Sequence, residues 1–150
     1  MKPEIQQLIE ISQYYGKQKD FVIAGGGNTS YKDENHLFVK ASGHSLGTIG
    51  EDGFAQLDRK ALQEIALKTY SEDVMERENQ IKNDLLKARV YPEKGQRPSV
   101  ETSLHDLLAY RFVVHTHSTK VNGLMCSTNA ERLTNVLFGN AVVYVPYVDP

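Results

Sequence analysis

Phe112-Val113-Val114-His115-Thr116-His117 is the stretch that most constrains the fold of this chain. An apolar run with two β-branched residues predicts a strand. In a strand, side chains two apart leave the sheet on one face. A strand over Phe112 to His117 would therefore carry the His115 and His117 imidazoles side by side, a geometry able to hold one metal ion. Neutral imidazoles suit zinc, copper, nickel or iron better than magnesium or calcium, whose ligands are oxygens. A catalytic zinc also needs a third protein ligand and an open position. Such a pair on its own is more often surface or packing histidines, so its meaning depends on what the rest of the chain brings near it.

The spacing of apolar residues lays out the other elements. Ile5, Leu8, Ile9, Ser12 and Tyr15, with Gly16 after them, predict an amphipathic first helix and a glycine stop. Short strands over Thr29 to Lys32 and Leu37 to Ala41, joined by Asp33-Glu34-Asn35, predict a β-hairpin. Ser45 to Gly53 reads as a loop. Asp58 is the expected N-cap of a helix over Arg59 to Thr69, its start stapled by Leu57 and Leu62. Ser71, Glu72 and Asp73 mark another helix start, and the charged segment Glu72 to Arg89 reads as a solvated helix, with a mobile insertion as the alternative. After the loop Tyr91 to Pro98, Ser99 or Val100 opens a helix containing Leu104, Leu107 and Leu108. Beyond the Phe112 strand come a short helix near Lys120 to Cys126, a helix from an Asn129 cap to Phe138, and a last strand over Ala141 to Val145. Strands alternating with helices predict a layered α/β domain, and the hairpin makes its sheet mixed rather than wholly parallel.

At 150 residues there is room for one domain with a core. The 17 Lys and Arg nearly balance 19 Asp and Glu, which leaves no electrostatic case for nucleic acid or an anionic membrane as a partner. Cys126 is the single cysteine; it excludes an internal disulfide, fits a reducing cytoplasm, and reads as a buried small hydrophobe. No apolar run reaches bilayer length and the start lacks the apolar core of a signal peptide, so a cytoplasmic protein is expected. The stop at Asp149-Pro150, directly after a strand, reads as the front part of a longer domain.

Three segments upstream of the histidines carry polar chemistry. Gly25-Gly26-Gly27-Asn28-Thr29-Ser30 allows close backbone approach and adds an amide and two hydroxyls. It can turn N–H groups toward a phosphate, or be a flexible turn, and it is neither a Walker loop nor a GxGxxG fingerprint. Ala41-Ser42-Gly43 can hug an anion and is equally common in any turn. Ser99, in Pro98-Ser99-Val100-Glu101, can cap backbone N–H groups or give its hydroxyl to a phosphate. Glu101 is either a helix-start surface residue or, beside the histidines, an acid/base.

Taken in order, Gly-Asn-Thr-Ser, Ser-Gly, Pro-Ser-x-Glu followed by a histidine, and His-Thr-His resemble the motifs of the class II aldolase/adducin family, over residues 5 to 150. The chain is similar above all to aldolases acting on fuculose 1-phosphate or rhamnulose 1-phosphate. Val113 to Pro150 resembles the aldolase part of bifunctional proteins with a dehydrogenase domain behind it. The resemblance implies a three-layer α/β/α fold with a mixed, largely antiparallel sheet. It implies zinc on His115, His117 and a later histidine, Glu101 as catalytic acid/base, and a substrate phosphate held by Gly27, Asn28, Ser42, Gly43 and Ser99. The reaction it implies is reversible cleavage of a deoxyketose 1-phosphate to dihydroxyacetone phosphate and lactaldehyde. The partner is then a small phosphorylated sugar, and the protein a homo-oligomer, tetrameric in relatives. First principles agree, since cleaving a carbon–carbon bond beside a ketone leaves an enediolate whose charge a divalent metal stabilises, while a carboxylate handles the protons.

Two features depart from the family pattern. Val100 stands where typical members have a second serine, and the third zinc histidine would lie past the end of this chain. His36, His44 and His105 do not match its place, and His105 is expected to be a helix residue near the site rather than a ligand. The competing readings are a non-catalytic scaffold module, as in adducin, and an epimerase or decarboxylase of the same family. Retention of His115, His117 and Glu101 argues against the scaffold, and by analogy the glutamate favours aldol cleavage.

Overall fold

Pro3 starts the first helix, where its missing N–H costs nothing. In the computed structural model, which describes residues 2–147, this helix is α1 (Pro3–Gly16), and it buries Ile5, Leu8, Ile9 and Ser12. The expected hairpin follows as β1 (Asn28–Lys32) and β2 (His36–Lys40), antiparallel with Ser30 opposite Val39. Asp33 Oδ1 accepts the N–H groups of Asn35 and His36 and so closes the turn.

Two further strands complete a sheet of order β3-β2-β1-β4. They are β3 (Phe54–Asp58) and β4 (Phe112–His115), and every pairing in this sheet is antiparallel. Strand β3 is not among the expected elements: the loop reading ends at Gly53, and only Leu57 and Asp58 of the strand are read, as staple and cap of the next helix. Its Ala and terminal Asp are poor strand formers, but Ala55 and Leu57 alternate onto one buried face opposite Val39 and Leu37. The chain then turns straight into α2 (Arg59–Leu67), whose Ala61 N–H is accepted by the Asp58 side chain, as the cap predicts.

Helices cover both faces of the sheet, giving the three layers. On one face Tyr31, Phe54 and Ile49 pack with Ile5, Leu8 and Ile9 of α1. On the other, Leu37, Val39 and Leu57 pack with Leu62 of α2 and with Leu85 and Ala88. Leu85 belongs to α3 (Val74–Lys87), so the charged segment is a packed helix and not an insertion. The α3 cap is Asp73, not Ser71: Asp73 accepts the Glu76 N–H, while Ser71 Oγ donates to the Glu76 carboxylate. The chain continues through α4 (Thr102–Leu107), α5 (Thr119–Met125) and α6 (Ala130–Phe138). Asn129 precedes α6 without a side-chain cap bond.

The strand expected over Ala141 to Val145 does not form. A 3-10 turn spans Gly139–Ala141, and among the described residues no strand of the sheet pairs with those after it, leaving Val143 and Val145 exposed. An apolar run is a strand only where a neighbour takes its backbone hydrogen bonds. Cys126 is exposed rather than buried. No helix among the described residues is long and apolar enough to cross a membrane.

Candidate active site

Asn28, Ser30 and Lys32 alternate onto one face of β1, and there they hold α4 at successive points. Asn28 Nδ2 donates to Glu101 Oε2 at 3.0 Å. Ser30 Oγ and His105 Nδ1 lie 2.7 Å apart. Lys32 Nζ donates to the His105 carbonyl. All three β1 side chains are buried, as is His105. The chain entering α4 is tied to β2 as well: Ala41 bridges Pro98, and Ser42 N donates to the Arg97 carbonyl. The Ser42-Gly43 turn therefore lies alongside Ser99.

The register of β4 against β1 sets His115 opposite Asn28. His115 Nδ1 lies 3.0 Å from Glu101 Oε1, an ion-pair contact that is not aligned as a hydrogen bond. Oε2 of the same carboxylate accepts from Asn28 and, at 3.4 Å, from Ser99 Oγ. Glu101 is thus a half-buried carboxylate held by Asn28, Ser99 and His115 rather than a free surface residue. His115 beside it, aided by Asn28 and opposed by burial, holds its pKa down to about 2. Glu101 in turn raises the pKa of His115. Burial pushes His105 down to about 4, which keeps that imidazole neutral at pH 7.

His117 reaches the site by another route than strand alternation. Strand β4 ends at His115, and the His117 N–H donates to the Phe21 carbonyl at 2.9 Å. The His115 and His117 rings still lie together, centroids 4.8 Å apart. The glycine run sits against them. Ala24 takes a φ of +54° at its entrance, and Gly27 one of +74°. A Cβ on Gly27 would come within 3.0 Å of the His115 carbonyl and 3.1 Å of Leu46 and Val22, so any other residue there is both strained in φ and crowded.

Of the other residues singled out by sequence, Ser99 makes a local turn, its Oγ accepting the Glu101 N–H at 3.3 Å. Gly43 has a φ of +91° with open space around it. Val100 is solvent-exposed, His44 is exposed, and His36 pairs with Asp33 away from the site. Lys40, which no motif singled out, joins the site, and so does His105, expected near it from the histidine that follows Pro-Ser-x-Glu. Lys40, buried, lies near enough to Glu101 for their charges to interact. His105 joins Glu101 and His115 in a group whose ligand atoms all lie within 4.8 Å of one another. A nitrogen-and-carboxylate donor set suits a divalent metal. His105 Nε2 and Asn28 Oδ1 are buried without hydrogen-bond partners, and His115 Nδ1 has only the Glu101 carboxylate 3.0 Å away; a cation among them would satisfy all three.

The family model of the class II aldolase and adducin N-terminal domain matches residues 6–150. The chain belongs to this family. A relative from Bacillus subtilis (strain 168), the uncharacterized oxidoreductase YuxG, is 30% identical over 155 residues, covering 97% of this chain and 22% of the relative. The N-terminal class II aldolase domain of a conserved protein from Thermoplasma acidophilum superposes with a TM-score of 0.84 at 30% identity, covering 100% of this chain and 71% of that one. This class II aldolase-family domain thus spans part of the length of both relatives.

Proposed function

We propose that this domain is a metal-dependent carbon–carbon lyase that reversibly cleaves a deoxyketose 1-phosphate, of the rhamnulose or fuculose type, to dihydroxyacetone phosphate and lactaldehyde. The observation that carries the reading is the setting of Glu101, a carboxylate kept ionised 3.0 Å from His115 and 3.0 Å from Asn28. A scaffold has no use for a half-buried carboxylate trained on paired histidines. His115 and His117 would hold the metal, zinc by ligand type, which when bound supplies positive charge to the substrate oxygens on which negative charge develops.

The remaining work falls to side chains. Asn28 and Ser99 both engage Oε2 of Glu101, so Oε1 is the oxygen turned toward the histidines and is assigned the proton transfer. Being ionised, Glu101 is set to accept a proton before it returns one. Gly27, Asn28, Ser42, Gly43 and Ser99 would hold the substrate phosphate, binding remote from the broken bond that orients the sugar. By the family pattern, the working form is a cytoplasmic homo-oligomer.

The test is production of dihydroxyacetone phosphate from L-rhamnulose 1-phosphate and L-fuculose 1-phosphate. Turnover of one of them is expected, abolished by a chelator and restored by zinc. Glu101→Gln should lower kcat by about 10²- to 10⁴-fold, the usual worth of a general acid/base, while still binding zinc. A zinc-loaded protein that releases no dihydroxyacetone phosphate from either sugar overturns the reading.

A further inference from the structure

We infer that the cleft at the end of β1 remote from Glu101 is a second binding site, which takes the phosphate group of a small organic phosphate between Lys32, Arg59 and Arg111. The inference is independent of the lyase reading above, in which the substrate phosphate binds at the other end of this strand.

Lys32 is the residue that calls for an anion. It is 5% exposed, and Nζ donates to a neutral group, the His105 carbonyl. An ammonium has three N–H donors, so two remain. Among the described residues no carboxylate forms an ion pair with it; Asp106, the acid whose charge it feels, is taken by Arg59 at 2.6 Å. Burial accordingly holds the Lys32 pKa below the ordinary lysine value, with Asp106 opposing the fall and Arg59 adding to it. A buried cation without a counter-ion is costly, and a bound anion removes that cost.

The fold brings two more cations to the same wall. Arg59 opens α2 and Arg111 stands just before β4; with Lys32 they line a cleft of about 490 Å³, a size suited to a small molecule. Both guanidinium groups keep donors in hand. Arg59 uses Nε on Asp106 and Nη1 on the Asp33 carbonyl, which leaves Nη2. Arg111 uses Nη2 on Tyr31 Oη, with Glu4 3.9 Å away, which leaves Nη1. Donors converging from three elements match the several oxygens of a phosphate, and the guanidinium fork suits it. The acids on the wall are Asp106, Asp33 and Glu34. Asp33 is occupied, accepting the N–H groups of Asn35 and His36, and lies 3.9 Å from Lys2. Glu34 is exposed on the hairpin turn. Leu107 and Leu108, 71% and 40% exposed, line the cleft as well and offer contact to a carbon skeleton, which favours an ester over the free ion.

Titration of the 15N-labelled chain with glycerol 1-phosphate, and separately with inorganic phosphate, tests this by NMR. The Lys32 ammonium and the Arg59 and Arg111 guanidinium signals should shift saturably, with the ester bound more tightly. Lys32→Met, which keeps the buried stem, should weaken binding by about 10- to 100-fold, the worth of a hydrogen bond to a charged group. Glu34→Gln should tighten it, since the change removes a like charge from the wall. Should Lys32→Met fail to fold, the exposed Arg111→Gln takes its place, with a smaller loss in the same direction. Inorganic phosphate bound as tightly as the ester keeps the site and makes the free ion its occupant. Shifts confined to Gly27, Gly43 and Ser99 put the phosphate at the substrate end of β1 and overturn the inference. Equal shifts from sodium chloride at matched ionic strength, or unchanged affinity in folded Lys32→Met, overturn it too.

Discussion

Gly27 makes the residue-scale constraint concrete. With φ at +74° and the His115 carbonyl 3.0 Å from where a Cβ would lie, Gly27→Ala meets both backbone strain and a collision. The left-handed conformation alone costs about 1–2 kcal/mol, and overpacking adds about 1–3 kcal/mol. Gly27→Ala should therefore lower the thermal midpoint measured by calorimetry. Because the atom in the way belongs to His115, metal affinity should fall with it. Gly43→Ala, strained in φ but open in space, should cost less and leave metal binding alone. His115, Glu101 and the glycine run were legible in the sequence because each sits in a short motif. His105 was legible as a helix residue near the site, but its partner Ser30 was not, being distant in sequence and brought to 2.7 Å only by the sheet.

Among the elements, those with a periodic apolar face or a side-chain cap were legible, notably α1, the β1–β2 hairpin and α2. Strand β3 was hidden because its alternation rests on Ala55 and Leu57 alone and ends in the cap of α2. The tail after Gly139 misled in the opposite sense, since valine spacing supplies strand propensity but no neighbour. Helix α3 shows what charge does where one element meets the next. Asp84 lies between Lys68 and Lys87, with Tyr70 donating to it, and Lys68 foremost holds its pKa at about 2, below the ordinary 3.8. As pH falls, the unfolded chain therefore takes up this proton first. The contribution of Asp84 is fully present above pH 3.8 and is lost as pH falls toward 2. Thermal melts should find Asp84→Asn less stable than wild type near neutral pH, with the difference closing through that acid window. A constant difference down to the acid limit would assign Asp84 a role independent of its charge.

At the scale of the whole molecule, the site is a joint between parts that the sequence keeps apart. Glu101 and His105 ride on α4 and the turn before it, His115 ends β4, and β1 holds both through Asn28 and Ser30. Alternating strands and helices make the layers legible in advance, but not that three inward residues of one strand clamp one short helix. Because the fold fixes the His115 and His117 rings together, centroids 4.8 Å apart, beside Glu101, the unfolded chain has no such preformed site, and metal binding should add to folding stability. At a free zinc concentration 100 times Kd the gain should be about 2.7 kcal/mol. For a chain of this size that raises the melting temperature by about 5–10 °C. Magnesium at the same concentration should give a much smaller rise, because it prefers oxygen ligands and gives up its waters reluctantly. A chelator should return the midpoint to its metal-free value, and His115→Gln should melt at one temperature with or without zinc. Equal shifts from zinc and magnesium would point to carboxylates elsewhere on the surface rather than to these imidazoles. A zinc shift that survives in His115→Gln would move the metal away from the β4–α4 joint altogether.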